Sequence, residues 1–85
     1  MRVEYTSDAE KDIAALSKKV ARRVLDKIDW FASQSNPLEF AEPLSDPRKL
    51  YRFRIGSYRA IFILKRGQVI ILLVLAVKDR KEVYR

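Results

Sequence analysis

Leu50-Tyr51-Arg52-Phe53-Arg54-Ile55-Gly56-Ser57-Tyr58-Arg59 decides the reading of this chain. Aromatic or aliphatic side chains alternate with arginines from Tyr51 to Ile55, the period of a strand with one face on a core and one face open. Arg52 and Arg54 therefore point the same way, about 7 Å apart, while Tyr51, Phe53 and Ile55 point the other way. Gly56-Ser57 is a two-residue hairpin turn, so Tyr58 to Lys65 returns as a second strand, and register can place Arg59 beside the first two arginines. Arg66-Gly67 marks another turn, and Gln68 to Val77 reads as a third strand. Val69 to Val77 is apolar at both parities, which predicts a central strand covered by helices on one face and partly occluded on the other.

On the N-terminal side, Arg2 to Thr6 has strand alternation around Val3 and Tyr5, and Ser7 and Asp8 offer helix-capping oxygens. Ile13, Leu16, Val20, Val24, Ile28 and Phe31 then recur every three or four residues, the stripe of an amphipathic helix. A single helix of about 25 residues would be close to 37 Å long, oversized for so short a chain, so a break near Ser17 to Lys19 and an antiparallel helical hairpin are expected. The run Lys18, Lys19, Arg22, Arg23 reads as a solvated helix face or, in the sharper reading, a second nucleic-acid contact. Trp30 reads as a packing anchor. Ser35-Asn36-Pro37 stops helical structure, and Pro43 and Pro47 are expected to keep the segment irregular until Arg48. Val83 and Tyr84 are expected in a short final strand or turn. The fold class is α+β: a small antiparallel β-sheet of about four strands packed against an N-terminal helical hairpin, order β-α-α-β-β-β. The chain, residues 1–85, is expected to form one domain.

The charge is lopsided. Residues 41–85 hold 11 Lys/Arg against 4 Asp/Glu, so they carry the whole net charge of +7, while residues 1–40 balance at seven each. A cationic strand surface of this kind suits a phosphate-rich partner. With no cysteine there is no disulfide or thiolate chemistry, and with no histidine the commonest acid–base group near neutral pH is missing. The carboxylates show no metal-ligand spacing, so no metal and no cofactor are expected. The longest apolar run is nine residues, less than half of a membrane span, and no apolar stretch follows the basic start as a signal peptide requires. No membrane partner and a cytoplasmic location are expected.

Arginine presents planar donors that match phosphate oxygens and stays protonated, so Arg52, Arg54, Arg59 and Arg80 can bind a backbone phosphate and stabilise charge developing on it. Each taken singly also reads as a solvated strand-face charge. Tyr84 can stack on an exposed base.

The stretch Leu50 to Arg59, followed by the long apolar strand and Lys78-Asp79-Arg80-Lys81-Glu82-Val83-Tyr84, resembles the RelE/ParE superfamily of bacterial and archaeal toxins, and the resemblance extends over the whole chain. In its RelE branch it implies the toxin of a type II toxin–antitoxin system, a ribosome-dependent endoribonuclease that cuts messenger RNA. A cognate antitoxin, RelB-like and acidic or partly disordered, would silence it. The 2′-hydroxyl of the RNA would attack the adjacent phosphate. By position, Arg52 and Arg54 would line the site, Arg59 would hold the scissile phosphate, Arg80 would stabilise its charge and Tyr84 would stack on the neighbouring base. Lys49, Lys78 and Lys81 would bind substrate. Many relatives have lysine in place of Arg52 or Arg54 and histidine in place of Asp79. An arginine cannot accept a proton at neutral pH, which makes Asp79 and Glu82 the candidate acid/base groups unless they pair with neighbouring arginines. The alternative within the superfamily is a ParE-like DNA gyrase inhibitor with no RNase activity. A third reading is an RNA-binding domain without catalysis.

Overall fold

The computed structural model describes residues 1–83, with side chains through Lys81. The chain runs β1 (Arg2–Tyr5), α1 (Ser7–Ala14), α2 (Lys18–Ala32), a 3₁₀ turn (Pro37–Phe40), β2 (Ala41–Pro43), β3 (Tyr51–Ile55), β4 (Tyr58–Arg66), β5 (Ile70–Asp79) and α3 (Arg80–Val83). The α+β class and the order of helices and long strands are as expected. The sheet has five strands rather than about four, in the order β1-β5-β4-β3-β2.

The added strand is β2, in the segment expected to be irregular. Asn36 caps the 3₁₀ turn by accepting from the Leu38 N–H, and Pro37 opens it with its side buried. The chain then lies along β3, pairing Ala41 with Phe53, Glu42 with Arg52 and Pro43 with Tyr51. Proline is tolerated because β2 is an edge strand. With β2 on the outside, β4 becomes the central strand and β5 lies one place from the other edge, correcting the expectation that Val69 to Val77 is central. The sheet is not purely antiparallel either: β1 pairs with β5 in parallel, Arg2 opposite Ile71 through Tyr5 opposite Val74. The connection between them, two helices that carry the chain to the far edge followed by β2, β3 and β4, is long enough to allow that direction.

The helix break comes slightly before its expected place. Ser17 caps α2 by accepting from the Val20 N–H, and α1 closes on Ala15. Thr6, not Ser7, caps α1: its Oγ1 accepts from the Ala9 N–H at 3.1 Å and donates to the Leu75 carbonyl at 3.0 Å. Leu75 is the extra residue of a β-bulge, since Ile61 faces Ala76 while Phe62 faces Val74. The cap thus ties the helix start to a kink in β5.

The core lies between the helices and one face of the sheet. Val24, Ile28, Phe31 and Ala32 of α2 are buried against Phe53, Ile55, Ala60, Phe62, Leu72, Val74 and Val77. Phe31 stacks on Phe53 and Phe53 on Phe62, each at 4.3 Å between centroids. Paired residues share a face, so Arg52, Arg54 and Arg59 lie with Ile61, Ile63 and Lys78 on the opposite face. No helix of the described residues is long and apolar enough to cross a membrane.

Candidate nucleic-acid interface

The β3–β4 hairpin sets the geometry. Gly56 has φ +60° and Ser57 does not have positive φ, the pattern of a type II′ turn, in which glycine suits the first position. The tight turn places Arg54 directly opposite Arg59, and the β4–β5 register places Arg59 opposite Lys78. Three cations therefore form one row across three strands, with neighbouring backbones about 4.8 Å apart. Arg52 is two residues along β3 on the same face. Arg80 follows β5, and its N–H donates to the Ser57 carbonyl at 2.8 Å, fixing the start of α3 beside the hairpin turn. Lys81 lies on that same short helix. The fold thus brings Arg52, Arg54, Arg59, Lys78 and Arg80 to one end of the sheet.

Like charges placed opposite one another repel, and each cation of the row has a partner that offsets this. The Arg59 guanidinium folds back over the turn, and its Nη1 donates to the Gly56 carbonyl at 2.9 Å and the Tyr58 carbonyl at 2.8 Å. Arg59 is only 3% exposed. Lys78 Nζ lies 3.2 Å from Asp12 Oδ1, whose other carboxylate oxygen accepts from the Val77 N–H. Glu42 sits between two arginines, with Arg52 Nη2 at 3.3 Å and Arg54 Nε at 3.6 Å. Arg54 nevertheless keeps 63% of its side chain exposed and is the most accessible cation of the row.

Other candidate residues are placed differently. Lys49 precedes β3, at the end of the strand away from the turn, in a left-handed conformation with φ 58°. It sits near Arg48 and Arg66, apart from the row. Asp79 is opposite Tyr58, on the face away from the row, and its Oδ1 accepts from the Lys81 N–H at 3.0 Å, which caps α3. The Glu82 side chain and all of Tyr84 lie outside the described residues. α3 takes the place of the strand or turn expected at Val83.

Sequence reasoning missed the counterions. Asp12 and Glu42 are 66 and 10 residues from their partners Lys78 and Arg52, and a three-residue strand has no periodicity that could mark Glu42. Trp30, expected as a packing anchor, packs edge-on against Phe31 and Phe40 and remains 46% exposed.

The sequence model of the family described as the ParE toxin of the type II toxin–antitoxin system, parDE, matches residues 3–84. The chain belongs to this family of the RelE/ParE superfamily. The toxin also resembles chains of three solved complexes. One is the toxin–antitoxin complex RelBE2 from Mycobacterium tuberculosis, with TM-score 0.79 and 22% identity, covering 93% of the toxin and 96% of that chain. Another is the archaeal RelE–RelB complex from Pyrococcus horikoshii OT3, with TM-score 0.72, 28% identity and 93% coverage of both chains. The third is the RelB–RelE antitoxin–toxin complex from Methanococcus jannaschii, with TM-score 0.67, 19% identity and coverage of 95% and 94%. No curated protein matches the toxin.

Proposed function

We propose that the toxin is an endoribonuclease that cuts messenger RNA on the ribosome. The observation that carries this reading is the row Arg54, Arg59, Lys78 on the sheet face opposite the helical core, with Arg80 anchored beside it at Ser57. A phosphodiester laid across the row meets fixed positive charge at the point where its equatorial oxygens gain negative charge. In the reaction the 2′-oxygen bonds to phosphorus, the bond from phosphorus to the 5′-oxygen breaks, and a 2′,3′-cyclic phosphate and a 5′-hydroxyl result.

The side chains divide the work by exposure. Arg54 and Arg80 are exposed and face the phosphate, while Arg52 and Lys78 neutralise neighbouring phosphates by exchanging part of their pairing with Glu42 and Asp12. Arg59 acts as a positioning residue: it holds Gly56 and Tyr58, hence the turn whose Ser57 carbonyl holds the Arg80 N–H. Lys81 follows the RNA beyond the site, and Lys49 contacts it, or ribosomal RNA, at the far end of β3. Asp79 serves as cap, so the 2′-proton passes to Glu82 or to a group supplied by the ribosome, the leaving 5′-oxygen takes up a proton from water, and Tyr84 stacks on the base beside the cut. A chain that positions and neutralises but lacks a strong base depends on its surroundings, which accounts for ribosome dependence.

A RelB-like antitoxin is the proposed partner in the cytoplasm, supported by the RelE–RelB complexes among the structural neighbours. Its acidic or partly disordered segment would cover the cationic face. A second reading, a DNA gyrase inhibitor without RNase activity, draws on the ParE description of the family. Mapping RNA 5′ ends after brief expression separates the two. Discrete cuts within translated codons, lost in Arg54→Ala and Arg80→Ala, support the nuclease; intact messages with double-strand DNA breaks support the gyrase reading and refute the nuclease.

A further inference from the structure

β2 is three residues long, and its ladder stops at Ala41 opposite Phe53. Beyond that point no outer strand pairs with β3 among the described residues, and an open cleft of about 460 Å³ lies between α2 and the end of the hairpin. Arg23, Asp26, Lys27 and Trp30 line it from the helix, and Arg54 and Gly56 from the sheet. The size falls within the range of sites that hold small organic groups. Its walls carry three cations and one carboxylate.

Trp30 is the chain's only tryptophan, and it stays 46% exposed. Its orientation is fixed by edge contacts to Phe31 and Phe40, with centroids at 5.6 and 5.3 Å. Lys27 Nζ lies over the ring, 4.6 Å from its centroid. A fixed aromatic face beside mobile cations is the arrangement that binds single-stranded nucleic acid: the base stacks on the ring and the flanking phosphates meet the cations. Lys27 occupies that face when no base is present, held by the ring's quadrupole, and its flexible stem lets it swing to a phosphate. Arg54 belongs both to the cationic row and to this cleft, so one strand can pass from one to the other over the unpaired edge of β3.

We propose that the cleft is a second RNA subsite, in which one unstacked base lies on Trp30 and the adjoining phosphates lie among Arg23, Lys27 and Arg54. This rests on the RNA reading of the cationic row. It assigns a role to part of the basic helix run and to an exposed tryptophan that packing alone does not explain. Duplex nucleic acid does not fit, because its bases are already stacked.

The lone tryptophan is its own reporter. The whole toxin is titrated with a short single-stranded RNA carrying a terminal dye, following dye anisotropy and Trp30 fluorescence together at two salt concentrations. The expected result is saturable quenching of Trp30 that tracks the anisotropy, no comparable quenching by a duplex, and loss of quenching in Arg23→Glu and Lys27→Glu. Trp30→Ala should weaken anisotropy-detected binding about fivefold or more. Helix-surface charge reversals leave the core intact, so they remain informative if Trp30→Ala unfolds. Binding seen by anisotropy without quenching, or quenching unchanged in both charge-reversal variants, refutes the subsite and leaves the cationic row standing. Absence of RNA binding by either signal refutes the RNA reading of both. Quenching by the purified antitoxin but not by RNA assigns the cleft to a protein segment and overturns the proposal.

Discussion

Replacing Arg59 with alanine tests whether the buried guanidinium holds the hairpin together. Nη1 makes two hydrogen bonds, at 2.9 and 2.8 Å, to the Gly56 carbonyl within the turn and the Tyr58 carbonyl just after it. Each hydrogen bond from a charged donor contributes roughly 1.5–3 kcal/mol. Against that, a guanidinium that is 3% exposed has lost most of its hydration, which costs several kcal/mol and offsets much of the gain. The alanine variant loses both terms, for a net destabilisation of about 1–3 kcal/mol. For a domain of this size 1 kcal/mol moves the melting temperature by about 4–8 °C, so Tm should fall by about 5–20 °C. Arg54→Ala is the control: its side chain is 63% exposed and 3.6 Å from its partner, and it should change stability by less than about 1 kcal/mol. Thermal unfolding followed by circular dichroism reads both, and cleavage is then compared well below the lower Tm. If Arg59→Ala melts no lower than Arg54→Ala, the turn does not depend on this guanidinium and Arg59 is not the positioning residue described above.

Gly56→Ala should destabilise by about 1–2 kcal/mol through backbone strain alone, because φ is +60° and an added Cβ meets nothing within 4 Å; an unchanged urea midpoint refutes the turn assignment. Glu42→Gln should leave stability within about 1 kcal/mol of the parent yet tighten binding to single-stranded RNA and steepen its salt dependence by up to about one unit of log–log slope. An unchanged slope means that Glu42 does not mask the arginines. Burial, aided by the Asp29 charge, pushes the Tyr5 phenol up to about 12 from an ordinary 10.0. The fold favours the protonated phenol, so its contribution is complete below about pH 10 and is lost as pH rises toward 12. Urea midpoints across that window should fall less in Tyr5→Phe than in the parent, and parallel curves exclude the effect.

Local periodicity in the sequence was enough for the two long helices, the alternation of β3 and the hairpin at Gly56-Ser57, because each is set by side chains within a few residues of one another. From these followed the α+β class, the shared face of Arg52 and Arg54, and the charge excess that points to a polyanion. The pairing of strands was another matter. β2 exists because a three-residue segment finds the edge of β3, the parallel union of β1 with β5 joins residues about 70 apart, and neither leaves a local pattern. Only the tertiary structure put Arg59 opposite both Arg54 and Lys78 and then buried it over the turn, brought Asp12 and Glu42 in as counterions, and left Trp30 beside an open cleft. Which face a residue takes is decided by its near neighbours along the chain. What it meets on that face is decided by segments the sequence keeps far apart.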